Sequence, residues 1–288
     1  MNERNERNER EEPIVIRRVL VAVDASPSSY AALEAAVHLA ERFEAELLGL
    51  FVEDVNVLRL AQLPFVREVG VYSARRRRPD TEEIERQLRA RSRRLQRALR
   101  SLAERASVQA SFRVTRGAVS EEIEAAAEEV DILVIGRYGW SRIRRRLGST
   151  ARAAYYCGAP SATLLLEEDA RIEPPIRAVY DGSEQGRSGL AIAAELVEET
   201  SGPLRVLLLA DGRENAPRLR REATALLSPY HVIRQYQVLT ESTVPKLVRA
   251  IRRSDGGTLI LPARISALRD DAVLELIEEI DIPVLMIR

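Results

Sequence analysis

Cysteine is nearly absent from this 288-residue chain: Cys157 stands alone, so no disulfide can form within it. A lone thiol suits a reducing compartment, and Cys157 reads as a small buried hydrophobe. Histidine is almost as scarce. His38 and His231 are the two present, and their distance in sequence argues against a zinc site or a histidine-based nucleophilic triad. Lysine is reduced to Lys246, so nearly all positive charge is arginine. Neither sign of charge prevails. The 44 basic residues meet 44 acidic ones, and the chain offers no overall basic field of the kind that draws in nucleic acid. Long apolar runs are missing too, and a transmembrane helix needs about eighteen or more such residues. The opening repeat Met1 to Glu12 is charged and lacks the apolar centre of a secretory signal. We therefore expect a flexible, solvated tail over residues 1–16 and a cytoplasmic location.

What is present is an apolar content of 45%, enough for two ordinary globular domains at this length. From Arg17 onward short β-branched runs alternate with helical segments, the pattern of an α/β fold with a parallel sheet. Strands are expected at Val19 to Val23, Glu46 to Val52, Val108 to Val114, Ile132 to Ile135 and Ala162 to Leu166. Helices are expected at Tyr30 to Phe43, Asp80 to Arg105, Ser120 to Glu129 and from Ala151 to Tyr156. In the long helix, Leu88, Leu95, Leu99 and Leu102 make an apolar stripe that should cover the sheet.

After Pro174-Pro175 the pattern begins again. Ile176 to Tyr180 runs into Asp181-Gly-Ser, as Val19 to Val23 runs into Asp24-Ala-Ser, and strands and helices follow to Pro283–Ile287. This internal repeat divides the chain into residues 17–167 and 176–288, with an acidic linker at 168–175. Residues 54–79 have no counterpart in the second half. An insertion of that length, ending in Arg75 to Arg78, is expected to serve as a lid, a contact surface or a solvated cover over the sheet edge.

The segment from Asp131 to Ala151 carries the chemistry. A buried strand runs into a loop with Gly136 and Gly139, where backbone can approach a ligand without a Cβ in the way. Gly148-Ser149-Thr150 then precedes an alanine-rich helix, whose free amides and dipole attract anions. Arg142, Arg144, Arg145 and Arg146 add positive charge. A plain turn, a serine N-cap and a solvated arginine face are the alternatives for the same residues. Asp24 likewise reads either as a site residue at the end of the first strand or as a cap for the helix from Ser28.

Three segments, Val19-Leu-Val-Ala-Val-Asp-Ala-Ser-Pro27, Gly117-Ala-Val-Ser-Glu-Glu-Ile123, and Asp131 to Gly139 leading to Gly148-Ser149, resemble the universal stress protein family, in particular its tandem two-domain members. Nucleotide-binding members of that family separate the second glycine from Gly-Ser by nine residues, whereas here residues 140–147 lie between them. The resemblance implies two Rossmann-type domains of the adenine nucleotide alpha hydrolase-like kind, each a parallel five-stranded sheet with helices on both faces. It implies that Gly136, Gly139, Gly148, Ser149 and Thr150 surround the triphosphate of ATP, carried with Mg, through amides and hydroxyls. Asp24 would face the ribose or adenine and Val52 would border the adenine through its backbone. The last strands of the two halves would meet inside one chain as a pseudo-dimer, with further homodimerisation and an unidentified protein partner left open.

The second half lacks the phosphate residues. Its loop, Leu261 to Asp271, has no glycine and places Pro262 at the first glycine position, while Asp270 and Asp271 would repel an anion or cap the last helix. Asp181 is expected to remain a turn or cap residue. The function expected is that of an ATP-binding regulatory module of the stress response with one working site. A nucleotide-free interaction scaffold is the alternative. No general base accompanies the loop, so catalysis is limited to slow ATP hydrolysis at most.

Overall fold

The computed structural model of the chain describes residues 15–63, 65–69, 76–77, 79–138, 147–156, 158, 160–198, 202–252, 256–269 and 271–288. The tail at 1–14, Gly139, Arg142, Arg144, Arg145, Arg146, Cys157 and Asp270 lie outside these residues, as does much of the 70–78 segment. In chain order the first half forms β1 (Arg18–Val23), α1 (Pro27–Arg42), β2 (Glu46–Asp54), α2 (Val55–Gln62), the short strands β3 (Glu68–Val69) and β4 (Arg76–Arg77), α3 (Thr81–Arg105), β5 (Ala110–Gly117), α4 (Val119–Ala127), β6 (Ile132–Gly136), α5 (Ser149–Tyr156) and β7 (Ala162–Leu166). The second half forms β8 (Ile176–Tyr180), α6 (Glu184–Glu198), β9 (Pro203–Leu209), α7 (Ala216–Leu226), β10 (Ile233–Leu239), α8 (Val244–Ile251), β11 (Thr258–Pro262), α9 (Ala272–Glu279) and β12 (Val284–Ile287).

Ten strands build one sheet in the order β10-β9-β8-β11-β12-β7-β6-β1-β2-β5. Within each half the neighbours run parallel and follow the same winding, out from the central strand in one direction and then in the other. The halves join antiparallel through β12 and β7, with Leu285 opposite Leu164 and Met286 opposite Thr163. The meeting of last strands that the resemblance implied is thus present, and it merges two five-stranded sheets into one.

Strand alternation divides the core. Val19, Val21 and Val23 face a cluster built with α1, α3, α6 and α7, while Leu20 and Ala22 face one built with α4, α5, α8 and α9. Helices therefore cover both faces of the sheet, and each core runs unbroken across the join. Residues buried on both sides explain why the inner strands read as continuous apolar runs. In α3, Leu95 and Leu99 are the buried part of the stripe.

Some boundaries differ from expectation for local reasons. α1 begins at Pro27, earlier than Tyr30, because proline at the first helical position has a suitable φ and no N–H to satisfy. Asp80 caps α3 rather than opening it, its carboxylate accepting from the N–H groups of Glu82 and Glu83. The insertion after β2 contains a helix that was not expected, α2, started by Asp54 accepting from Asn56 N–H at 2.8 Å. Asp271 stands at the start of α9 but makes no side-chain cap bond. The connection at 168–175 is held against the sheet: Ala170 and Ile172 pack on the core, and Glu173 N–H donates to the Thr258 hydroxyl at 3.1 Å.

Candidate functional site

The winding reverses between β1 and β6, since the chain leaves β1 toward β2 and leaves β6 toward β7. Parallel sheets open a crevice beyond the carboxyl ends of the strands at such a point. A cleft of about 430 Å³ lies there, and Asp24, Val52, Gly136, Gly148 and Thr150 all line it. Ser149 adjoins it as the first residue of α5. The structure thus gathers five of the seven expected site residues on one cleft, while Gly139 belongs to the undescribed loop.

Asp24 sits at its rim, exposed, and is also part of a tight turn. Its Oδ1 accepts from Ser26 N–H at 2.9 Å and from the Ser29 hydroxyl at 2.7 Å, while its own N–H donates to Ser29 Oγ at 2.9 Å. Ser26, rather than Asp24, occupies the cap position of α1, and it makes no side-chain cap bond. Asp24 therefore shapes the turn and still presents its carboxylate to the cleft. Below it Ser26, Ser28 and Ser29 are buried, with Ser26 Oγ and Ser28 Oγ 3.0 Å apart.

Two glycines sit where a side chain would crowd its neighbours. A Cβ on Gly136 would lie 2.5 Å from Ser28 Oγ and 2.9 Å from Ser28 Cβ, so the absence of a side chain lets α1 close over the end of β6. A Cβ on Gly148 would stand 3.1 Å from the carbonyl oxygen of Tyr138. The Gly148 N–H donates to the Arg137 carbonyl at 2.9 Å, and the Gly148 carbonyl accepts from Arg152 N–H at 2.9 Å. The Gly148 amide thus has an acceptor within the chain. The amides that a helix beginning here leaves without intrahelical acceptors are those of Ser149, Thr150 and Ala151.

Val52 contributes through its main chain. Glu46 N–H donates to Arg17 on the β1 side and Leu47 N–H to Gln109 on the β5 side. Because strand residues alternate sides, the Val52 carbonyl points toward β1, where pairing stops at Val23 opposite Phe51. Phe51, Val57, Leu88, Val119 and Ile123 supply apolar wall. Among the described residues no group of three or more histidines, cysteines or carboxylates is placed to hold a metal ion.

Arg91 also lines the cleft and escaped the sequence reading. A signal existed: it lies three residues after Leu88 and four before Leu95, on the apolar face of α3. A charged residue on that stripe marks a place where the stripe meets something polar. Tyr138, at the other side, is half buried, and burial is the main reason that its phenol titrates above the ordinary range.

The second half carries the same turn but fills the space above it. Asp181 Oδ1 accepts from Ser183 N–H at 3.0 Å, repeating the Asp24 to Ser26 contact. Its Oδ2 accepts from the N–H and hydroxyl of Ser266 at 3.4 and 3.3 Å, so the loop after β11 folds back onto the aspartate. Ile265 of the same loop is buried in the core, and Pro262 closes β11 where Gly136 closes β6.

Residues 16–154 match the Universal stress protein family. Among solved structures, the chain is similar to a universal stress protein from Archaeoglobus fulgidus DSM 4304, at 14% identity and a TM-score of 0.70, covering 94% of this chain and 98% of that one. It is similar in fold to a functionally unknown protein from Pseudomonas aeruginosa PAO1, at 13% identity and a TM-score of 0.57, covering 94% of this chain and 92% of that one. No curated protein matches the chain.

Proposed function

Because residues 16–154 belong to the universal stress protein family, we propose that the cleft beyond β1 and β6 binds ATP with Mg and that the chain is a cytoplasmic regulatory module of the stress response. One observation carries this reading. A single cleft joins the three kinds of group that a nucleotide needs: helix-start amides for phosphate, the Val52 carbonyl for an amino purine, and Asp24 for a ribose hydroxyl. Its volume is within the range of about 300–1,000 Å³ usual for small-molecule sites. Ser149, Thr150 and Gly136 would border the phosphates, with Arg91 adding positive charge and the apolar wall covering the base. Mg would be held by the phosphates, since among the described residues no group of three or more histidines, cysteines or carboxylates is placed to hold it.

Regulation, rather than turnover, suits a cleft whose described lining residues include no histidine and no cluster of acids. A second reading, a nucleotide-free interaction scaffold, is favoured by one feature: Leu60, Leu63 and Phe65, in and after α2, are exposed, Phe65 by 75%. Titration calorimetry with Mg-ATP on the wild-type chain and on Thr150→Glu separates the two. A glutamate in the first turn of α5 is compatible with the helix dipole, yet it repels phosphate. Wild-type binding that is lost in Thr150→Glu, with no loss of thermal stability, supports the nucleotide site. Absence of binding to wild type, with no melting shift at saturating Mg-ATP, refutes it.

A further inference from the structure

Besides the Arg42 contact with the Glu195 carbonyl, several polar contacts between the two halves involve residues next to the cleft. Arg137 directly follows Gly136, and its side chain is completely buried. The guanidinium reaches out of its own half: Nη1 donates to the Ile280 carbonyl and, at 2.8 Å, to Glu167, and Nη2 donates to the Ile282 carbonyl at 3.0 Å. Those carbonyls follow α9, where a helix dipole places negative charge. Arg288, following β12, returns the contact. Its Nη2 donates to the carbonyls of Ala154 and Tyr155 at 2.6 and 2.9 Å, at the end of α5, and its Nη1 to the buried Thr163 hydroxyl at 2.6 Å. An arginine from each half thus closes the last helix of the other.

These contacts lead back to the phosphate amides in two steps. The Arg137 carbonyl holds Gly148 N–H, and Gly148 opens α5. Leu147 N–H, at the far end of the loop, donates to Glu278 of α9 at 3.4 Å. Both ends of the loop and the trailing end of α5 are therefore tied to residues 278–288. Any shift of that segment moves the start of α5 relative to Asp24 and Val52, which belong to strands anchored in the first half.

Resting on the nucleotide reading above, we infer that the second half is the allosteric anchor of the cleft, with Arg137 and Arg288 as positioning residues. Occupancy of the cleft and docking of residues 278–288 are one coupled equilibrium, and each strengthens the other by the same factor. The half that lost its own cleft retains a function in setting the affinity of the first.

Mg-ATP calorimetry and amide hydrogen exchange on the full chain test this. Arg137→Met is the direct variant, but it empties a buried position and endangers folding. Arg288→Gln is the sounder one, since Arg288 is only partly buried. Arg252→Gln is the control: it removes a contact with the Glu279 carbonyl at the end of α9 without touching the first half. The expected result is an affinity about tenfold weaker in Arg288→Gln and unchanged in Arg252→Gln. Mg-ATP should also slow exchange at residues 278–288 in wild type, and not in Arg288→Gln. Equal affinities in wild type and Arg288→Gln, or equal losses in both variants, overturn the coupling and leave the nucleotide site standing. Failure of wild type to bind overturns both.

Discussion

Substituting Gly136 by alanine distinguishes a glycine kept for a ligand from one kept for packing. The added Cβ would lie 2.5 Å from Ser28 Oγ and 2.9 Å from Ser28 Cβ, well inside van der Waals contact. Ser28 is 4% exposed and lies in the first turn of α1, so it has little room to withdraw. Relief must come from a rotation of Ser28 or a small displacement of the helix start, and overpacking of this sort costs about 1–3 kcal/mol. Urea unfolding without any nucleotide is the assay. Ser28→Gly removes both clashing atoms, so the double variant should recover much of the loss, with a coupling energy of about 0.5–3 kcal/mol between the two positions. The intrinsic penalty of glycine in a helix is common to both arms of the cycle and cancels. If Gly136→Ala unfolds at the wild-type urea concentration, or if the two substitutions are simply additive, the packing argument is wrong and the glycine serves the ligand alone.

Two further outcomes follow from buried groups in the second half. Tyr180 is fully buried, with its hydroxyl 3.1 Å from Glu222, and burial first, then Glu222, pushes its phenol from 10.0 up to about 12. A folded value above the unfolded one means that this group's contribution is complete below pH 10 and is lost as pH rises through about 12; Tyr180→Phe should flatten stability against pH in that window, read by urea midpoints, and an unchanged profile refutes the assignment. Ile265, 4% exposed in the loop that fills the second half's crevice, should cost about 2–5 kcal/mol when truncated to alanine, without weakening Mg-ATP binding to the first half; a loss below about 1 kcal/mol would mean that the loop is not packed there.

Most of the fold was legible because strands buried on both faces announce themselves as uninterrupted apolar runs. Ile132 to Ile135 and Ala162 to Leu166 are recoverable without any partner information, and the repeated turn at Asp24 and Asp181 exposes the duplication. The candidate cleft was legible in the same way, from Gly136 at the end of such a strand and Gly148 at the start of a helix. Side-chain partnerships were not. That Gly136 is a glycine because of Ser28, or that the Gly148 amide is taken by the Arg137 carbonyl, depends on which elements lie side by side. Composition along one segment carries no record of that. Arg91 was hidden by the many arginines around it: in a chain whose cations are almost all arginine, charge alone does not mark a site, and only its place on the stripe of α3 does. α2 was missed because its start depends on the Asp54 carboxylate accepting from Asn56 N–H, a local contact that the apolar residues of the segment do not announce.

Duplication within one chain also removes a constraint that a symmetric pair would impose. In a dimer of identical subunits every contact across the axis occurs twice. Here Arg137 N–H pairs with the Leu166 carbonyl as Ala263 N–H pairs with that of Ile287, so Ala263 is the counterpart of Arg137, and Glu167 that of Arg288. Symmetry would place a guanidinium at both 137 and 263, two buried cations beside a single β7 to β12 join. Burying a charge is tolerable only with partners, and each arginine of this kind needs carbonyls from the opposite half. With alanine at 263 and arginine at 288, one buried guanidinium stands beside that join, accompanied by Glu167, and the partly buried Arg288 caps α5. Alanine at 263 and arginine at 288 thus let Arg137 close α9 and Arg288 close α5 without a second buried cation at the join.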